Sequence, residues 1–366
     1  MKTWHTGGLV LATLVASVMA GACKRREEAP RPTTNTATAT PAGDPPTGMF
    51  QALPAVGALP EAKVTLGRRL FHDTQLSANN TVSCASCHSL DQGGAEARVS
   101  SLGINGQVGP INSPTVLNAR FNFVQFWDGR AANLTEQAGG PVTNPKEMGN
   151  TWPNAVATLG RDPTYVEAFR AAYPSDGITE GNVRDAIATY EMTLVTPSRF
   201  DRYLQGQRDA LNAQERAGLA EFVSLGCTAC HAGVNIGGAM YQKMGLVRNY
   251  FADRGHLTEA DNGRFNVTHQ ESNRYFFKVP TLRNVALTAP YLHDGTQRTL
   301  PDVVRVMARY QLGRELDAAQ VERLVAFLNA LTGEIPAAAR MPAAPAAPAA
   351  PAVPAAAPAA PAAAAH

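Results

Sequence analysis

The chain has 366 residues, 45% of them hydrophobic, and a formal net charge of +2 at pH 7. This length allows two domains with buried cores, and the near balance of charge argues against a nucleic-acid-binding protein with a basic surface. Only five cysteines are present. Four of them fall into two C-x-x-C-H motifs, so no pair remains for a disulfide.

The first 22 residues have the pattern of a signal peptide. Lys2 precedes an apolar run over residues 9–20, which is shorter than a membrane span. Small residues then lead to Cys23, which leaves two routes open: ordinary cleavage at the small residues, or lipoprotein processing with a lipid anchor on Cys23. Either route predicts a periplasmic location, outside the cytoplasmic membrane.

Low-complexity segments enclose the globular part of the chain. Residues 23–48 are polar and rich in Thr, Ala and Pro, which is typical of a linker. Residues 336–366 are almost entirely Ala and Pro. Repeated Pro blocks a helix and Ala offers little surface to bury, so this tail is predicted to be disordered.

Helical patterns dominate the sequence between these segments, and strand patterns are sparse. The clearest helices are predicted at 60–71, 153–159, 163–172 and 179–194, after a cap at Asn212, at 300–310, and after a cap at Asp317. We therefore predict a mainly α fold with two domains, at residues 49–200 and 201–335.

The two C-x-x-C-H motifs carry the strongest functional signal. They are Cys84-Ala85-Ser86-Cys87-His88 and Cys227-Thr228-Ala229-Cys230-His231. In c-type haem attachment, two thiols at this spacing join the porphyrin vinyl groups, and the following His binds the iron. A lone C-x-x-C is also compatible with a redox dithiol or half a zinc site, but two copies that both end in His favour haem. The sequence thus predicts two cytochrome c-like domains in tandem, each with one covalent haem c.

Spacing alone leaves several candidates for the second axial ligand of each haem. No His lies between His88 and His231, so the first domain offers only Met148 and Met192 downstream of its haem motif. In the second domain, Met307 lies late on the helix predicted at 300–310. Met240 and Met244 are its rivals as a thioether ligand.

Several further stretches are distinctive in composition and order. They are Ser83 to His88, Asn112-Ser113-Pro114-Thr115-Val116-Leu117-Asn118-Ala119, Gln125 to Ala131, Glu136-Gln137-Ala138, Asn144 to Met148, and Phe277 to Gly295. With the second haem motif, they closely resemble the bacterial di-haem cytochrome c peroxidase family, over nearly all of residues 66–335.

This resemblance implies unequal roles for the two haems. The haem on His88 would be the low-potential centre that reduces peroxide. The haem on His231 and Met307 would be the high-potential centre where electrons enter, and Trp127 would lie between the two in the electron path. The donor would be a small cytochrome c or cupredoxin, and a homodimer is implied on the same ground.

The resemblance also assigns residues around the haems. Glu147 and Gln137 match the pair on the distal side of the peroxidatic haem, where one carboxylate can accept a proton and later return it. A calcium ion between the haems would fall on Asn112, Thr288 and Pro290, partly through backbone carbonyls, as the oxygen preference of this ion allows.

One departure from the family pattern concerns the loop over residues 101–114. The family usually carries a His after Ser-x-Gly in this loop, and that His leaves the iron before peroxide binds. Ile104 stands at this position here, and an alkyl side chain cannot bind iron. We therefore predict a peroxidatic haem without a His switch, active without prior reduction.

Two other functions are compatible with these residues. Related di-haem oxygenases, which modify tryptophans of a partner protein, also lack the distal His. They replace the axial Met by Tyr, whereas this chain keeps Met307 and has Tyr310 nearby. A di-haem electron carrier is the non-enzymatic alternative, but it would not require Glu147 and Gln137.

Overall fold

The computed structural model describes residues 47–341, and these form a mainly helical fold. The predicted signal peptide, Cys23, most of the linker and residues 342–366 lie outside the described residues. Within the described part, none of the helices is long and apolar enough to cross a membrane. The helices are α1 (Glu61–His72), α2 (Cys84–Cys87), α3 (Leu134–Gln137), α4 (Gly139–Thr143), α5 (Trp152–Gly160), α6 (Pro163–Ala172), α7 (Glu180–Glu191), α8 (Arg199–Leu204), α9 (Ala213–Ser224), α10 (Tyr250–Arg254), α11 (Phe265–Thr268), α12 (Leu300–Leu312) and α13 (Ala318–Ala330).

Helices α1 and α7 cross closely and form the frame of the N-terminal half. Thr179 caps α7 by accepting a hydrogen bond from the backbone N–H of Asn182. At the crossing, Gly67 lies so close to α7 that a Cβ added to it would be 1.9 Å from the carbonyl oxygen of Ala186. The absence of a side chain at this position therefore allows the two helix backbones to meet.

The C-terminal half repeats this device with α9 and α13. Asn212 and Asp317 begin these helices with capping boxes, in agreement with the predicted caps. Gly218 is the counterpart of Gly67, since a Cβ added to it would lie 1.9 Å from the carbonyl oxygen of Arg323. Helix α12 packs beside α13 and continues to Leu312, two residues beyond the predicted end.

Each haem motif follows the first of the two crossing helices of its half, α1 or α9. The first motif forms the short helix α2, which starts with a capping box between Ser83 and Ser86. The second forms a 3₁₀ turn over Cys227–Ala229. It begins after Gly226, whose φ of 88° is a conformation that favours glycine.

Two hydrophobic clusters correspond approximately to the two predicted domains. One is built mainly from α1, α5, α6 and α7, and the other from α8, α9 and α13. Each end of the described chain packs in the cluster of the opposite half. Phe50, predicted in the first domain, packs in the second cluster, and Ala339, predicted in the disordered tail, packs in the first.

The prediction of disorder from residue 336 is wrong for residues 336–341. A 3₁₀ turn covers Ala337–Ala339, and the buried Tyr190 hydroxyl donates a 2.6 Å hydrogen bond to the carbonyl of Ala339. Arg68 donates a second one, also 2.6 Å, to the carbonyl of Ala338. Composition misled here because backbone carbonyls, rather than side chains, make these contacts.

One short antiparallel sheet lies in the described part of the chain. It pairs β1 (Tyr241–Lys243) with β2 (Phe276–Lys278), with Tyr241 opposite Lys278. The backbone N–H of Lys278 also donates to the carbonyl of Trp127. This bond ties the C-terminal half to the aromatic loop of the N-terminal half.

Candidate active site

Two cavities contain the haem motifs, one in each half. The larger, of about 350 Å³, is lined by Cys227, Cys230 and His231. The smaller, of about 120 Å³, is lined by Cys84, Cys87 and His88. The segment 112–115 lines both cavities, so a single stretch of chain forms part of the wall of each.

The two motif histidines have matching environments. The Nδ1 of His88 lies 3.3 Å from the carbonyl oxygen of Gly94, and that of His231 lies 3.3 Å from the carbonyl oxygen of Ile236. Burial lowers the pKa of both imidazoles, that of His231 to about 4, so both rings are neutral near pH 7. With Nδ1–H donating to a carbonyl, Nε2 is left with a free lone pair, as a proximal iron ligand requires.

The four motif cysteines are not joined in disulfides. Burial is the main cause that raises the pKa of the Cys87 and Cys227 thiols to about 12. A reactive dithiol or a zinc site needs thiolates, which this environment disfavours. The arrangement fits thiols that become thioethers of haem.

Glu147 and Gln137 meet in the smaller cavity with His88, as the resemblance implied. Burial raises the pKa of the Glu147 carboxyl above its ordinary value, and a 2.7 Å hydrogen bond from Asn144 and the charge of Arg130 oppose the rise. A carboxyl with a raised pKa can accept a proton and return it near neutral pH. The cavity thus contains one acid–base group and one amide that can hold a small polar molecule.

The loop that carries Ile104 is fixed against the backbone around Glu147. The N–H of Ile104 donates a 2.8 Å hydrogen bond to the carbonyl of Glu147. Its side chain is buried in the core and contacts Gly149, where a Cβ would come within 2.3 Å of it. Ile104 therefore supports the Glu147 segment and does not line the smaller cavity.

Trp127 lies on the wall of the larger cavity. Its indole Nε1–H donates a 2.9 Å hydrogen bond to the carbonyl of Asn112, in the segment shared by both cavities. Its ring makes edge-on contacts with Phe277 and His293. This position, one hydrogen bond from the shared wall, is compatible with the predicted place in an electron path.

Two of the three candidate thioethers reach the larger cavity. Met307, on α12, and Met244 both line it with His231, whereas Met240 does not. Tyr310 is also absent from this lining, and its hydroxyl donates to the carboxylate of Asp253 instead. The structure therefore excludes neither Met307 nor Met244 and directs Tyr310 away from the cavity.

The three predicted calcium residues, Asn112, Thr288 and Pro290, all line the larger cavity. The Asn112 side-chain amide donates to the carbonyl of Arg98, which directs its Nδ2 away from a cation. Its backbone carbonyl accepts the bond from Trp127. The three residues thus line the same cavity, and they offer oxygen atoms of the kind that a hard ion prefers.

Sequence reasoning did not find a buried ion network beside the larger cavity. His293 Nε2 lies 2.7 Å from Asp261, and Arg254 binds both Asp261 and Asp294. Burial opposes ionisation of Asp261, but the bonds from His293 and Arg254 outweigh it and hold the pKa of this carboxyl below its ordinary value. Arg254 already binds both carboxylates, so the cluster is a structural ion network. The His-Asp-Gly motif at residues 293–295 was its only sequence signal.

Each cavity also contains a buried ionisable group without a protein partner. In the described residues, Glu191 Oε2 has no hydrogen-bond partner, and its residue lines the smaller cavity. The Lys278 ammonium, which lines the larger cavity, likewise makes no hydrogen bond or ion pair to the described residues. Burial raises the pKa of the Glu191 carboxyl to about 8, so this group is mainly neutral at pH 7. Buried polar groups without a protein partner are expected where a bound group completes the site, so both cavities fit a bound cofactor such as haem.

Comparisons with known proteins agree with this geometry. Residues 61–209 match the sequence profile of the family described as "Di-haem cytochrome c peroxidase". Cytochrome c peroxidase Ccp of Escherichia coli is 48% identical over 74% of this chain, which matches only 58% of the length of that relative. Cytochrome c551 peroxidase of Pseudomonas aeruginosa is 48% identical over 75% of this chain and 80% of its own length.

A solved structure supports the same fold. It is that of a MauG-like protein associated with microbial copper homeostasis, with a TM-score of 0.70 and 28% identity. The match covers 80% of this chain and 95% of that one. The family implies covalently bound haem c, and its members are oxidoreductases that act on peroxide. The chain belongs to the bacterial di-haem cytochrome c peroxidase family.

Proposed function

We propose that this chain reduces hydrogen peroxide to water in the smaller cavity, with electrons that enter through the larger one. The observation that supports this proposal is that Glu147, Gln137 and His88 line the same cavity. Haem held by Cys84, Cys87 and His88 would supply the iron at which peroxide is reduced. The overall reaction consumes one peroxide, two electrons and two protons and yields two water molecules.

The protein's own part in this reaction is to hold peroxide and move a proton. Gln137 donates and accepts hydrogen bonds and so orients the bound oxygens. Glu147, as carboxylate, accepts the proton from one peroxide oxygen and delivers it to the other, which leaves as water. Arg130 lines the same cavity, and its positive charge favours the carboxylate form that starts this cycle.

Electron entry is assigned to the larger cavity. Cys227, Cys230 and His231 would hold its haem, and Met307 would be the second axial ligand. Met307 is favoured over Met244 by the family resemblance, since both line the cavity. Trp127 would lie in the path from this haem to the peroxidatic one, through the wall that both cavities share.

We infer that no His switch operates at the peroxidatic haem. Ile104 occupies the expected place of the distal His and packs into the core beside Gly149. The loop is therefore already fixed against Glu147 without any ligand exchange. The enzyme is expected to react with peroxide in its fully oxidised form.

The positions of Met307 and Tyr310 distinguish a peroxidase from an oxygenase that modifies protein tryptophans. An axial Tyr would need Tyr310 in the larger cavity, but Tyr310 does not line that cavity and its hydroxyl donates to Asp253. The relatives named cytochrome c peroxidase, at 48% identity, support the same choice over the MauG-like structure at 28%. A pure electron carrier is disfavoured by the half-buried carboxyl of Glu147, which lines the smaller cavity.

The remaining assignments complete the proposal. The donor would be a small cytochrome c or a cupredoxin, and the chain would work in the periplasm, either free or through a lipid on Cys23. A calcium ion would bind at Asn112, Thr288 and Pro290, and the protein would form a homodimer.

Peroxide turnover by the oxidised protein tests the main proposal. Protein with both haems is assayed with a reduced cytochrome c as donor, once as isolated and once after pre-reduction with ascorbate. We expect comparable rates and an electron paramagnetic resonance spectrum with a high-spin or water-bound ferric haem. A fully low-spin spectrum with activity only after pre-reduction would show that another ligand acts as a switch, and rapid electron exchange without turnover would establish a carrier.

A further inference from the structure

One strongly basic side chain, that of Lys278, lines the larger cavity. Among the described residues that line it there is no Asp, Glu or Arg, and Lys278 is the only Lys. The lysine is 4% exposed and is thus almost entirely removed from solvent. Burial lowers the pKa of its ammonium to about 8, so it remains mainly protonated at pH 7.

Backbone contacts on both sides hold Lys278 in place. As the last residue of β2 it pairs with Tyr241 of β1, and its N–H donates a 2.8 Å hydrogen bond to the carbonyl of Trp127. Neighbouring residues 277 and 279–282 line the same cavity. The strand is therefore part of the cavity wall, and the backbone of Lys278 is held at that wall.

The smaller cavity has a different set of ionisable side chains. Its lining includes the carboxyl groups of Glu147 and Glu191 and only one cation, Arg130. Burial raises the pKa of the Glu191 carboxyl to about 8, so this group is mainly neutral at pH 7. Arg130 is paired with Asp128, which lies outside that lining, whereas Lys278 has no such carboxylate partner.

A charge inside a low-dielectric cavity acts strongly on the electron affinity of a centre bound there. Each haem iron takes up one electron when it is reduced. A nearby cation stabilises the state with the extra electron, and the reduction potential rises. A neutral side chain of the same size removes this effect and leaves the apolar packing in place.

We propose that Lys278 tunes the electron-entry haem through its charge. The Lys278 ammonium raises the reduction potential of that haem above the potential of the peroxidatic haem. This inference rests on the proposed function, because it takes the larger cavity as the electron-entry site. The ammonium serves as the counter-charge for the anionic groups of the bound haem. A haem held by His231 would then be the preferred place for the first electron from the donor, and the site at His88 would remain available to peroxide.

The test is a spectroelectrochemical titration of the protein with both haems. Lys278→Met is compared with wild type, with Lys278→Arg and with the control Lys243→Gln, which changes an exposed lysine on β1 beside the same cavity. We expect Lys278→Met to lower the equilibrium constant for reduction of the C-terminal haem at least tenfold, which for one electron is about 59 mV. The N-terminal haem should keep its potential, Lys278→Arg should restore most of the difference, and Lys243→Gln should have no effect.

Two results would overturn the inference. One is an unchanged potential of the C-terminal haem in Lys278→Met, and the other is an equal shift of both haems, which would indicate a general change of structure. If Lys278→Met does not take up haem, Lys278→Gln is titrated with the same criteria. Unchanged potentials with normal peroxide turnover in the wild type would reject only this inference, whereas wild type without turnover would reject the proposed function.

Discussion

At the scale of single residues, Glu147 is the side chain on which the chemistry depends. Its carboxyl is largely removed from solvent, and burial is the leading cause of its raised pKa. The amide of Asn144 donates a 2.7 Å hydrogen bond to it and opposes this rise. A hydrogen bond to the charged form stabilises the carboxylate, which is the form that accepts a proton from peroxide.

Replacement of Asn144 by Ala should therefore raise the pKa of Glu147 further. The base form is then lost at a higher pH, and the acid limb of kcat/KM for peroxide should move upward by about one pH unit, since a hydrogen bond to a charged group contributes about 1.5 kcal/mol or more. Steady-state rates over a pH series measure this limb.

Glu147→Gln provides the control for this series. It should lose most activity at every pH while both haem spectra stay unchanged, because Gln cannot take up the proton. If Asn144→Ala leaves the acid limb where it is, or Glu147→Gln remains active, the acid–base group is a different residue.

At the scale of the elements, the same helix crossing is built twice. Gly67 allows α1 to touch α7, and Gly218 allows α9 to touch α13. In each half the second helix lies later in the chain than the haem motif, and the crossing closes the half around its cavity. Helical periodicity predicted all four helices, but it gave no indication that these two glycines set the distance between them.

Gly67→Ala tests the role of this close approach. Its Cβ would lie 1.9 Å from the carbonyl oxygen of Ala186, a backbone atom that cannot move independently of α7. Such overpacking costs about 1–3 kcal/mol, and urea unfolding followed at the haem absorbance should show a lower midpoint.

Gly181→Ala is the matched control for this variant. Gly181 lies on the exposed side of α7, and nothing approaches its added Cβ more closely than 3.9 Å. The change should leave stability equal or raise it by up to about 1 kcal/mol, because Ala favours helix over Gly. Equal midpoints for the two variants would show that the crossing tolerates a wider spacing.

At the scale of the whole molecule, the two halves are interlocked rather than joined end to end. Phe50 packs in the C-terminal cluster and Ala339 in the N-terminal one. Within the C-terminal half, the fully buried Arg283 binds Asp201, and this carboxylate also accepts the N–H of Leu53, which precedes the N-terminal helices. The haem cavities therefore keep a fixed separation, which an electron path through their shared wall requires.

Removal of all residues after Ile335 should weaken the N-terminal half. The Tyr190 hydroxyl would lose its partner at Ala339, and a buried donor without a partner costs about 1–3 kcal/mol. Thermal unfolding should therefore begin a few degrees lower than in the full chain.

A chain that ends after Met341 is the control for this truncation. It keeps the contacts of Ala338, Ala339 and Arg340 and removes only residues outside the described part. It should unfold like the full chain. The same melting temperature for both truncated chains would mean that residues 336–341 add nothing to stability.

The haem-attachment chemistry and most of the helices could be predicted from the sequence. The C-x-x-C-H spacing is local, so the residues that bind one haem lie within five positions and can be recognised without a fold. The predicted caps at Asn212 and Asp317 are also local, because a side chain binds a backbone N–H three residues away. Family resemblance added Glu147 and Gln137, which no spacing rule would have chosen.

Which groups share a cavity, and which ionisable groups lack a protein partner, became apparent only from the tertiary structure. Glu191 continues the apolar stripe of Val183 and Ile187 on α7, and Lys278 ends a short apolar strand, so both could be read as exposed ends of their elements. Their burial depends on segments distant in the chain that close over them. The difference in ionisable groups between the two cavities is therefore a property of the fold, although the two haem motifs are the same in sequence pattern.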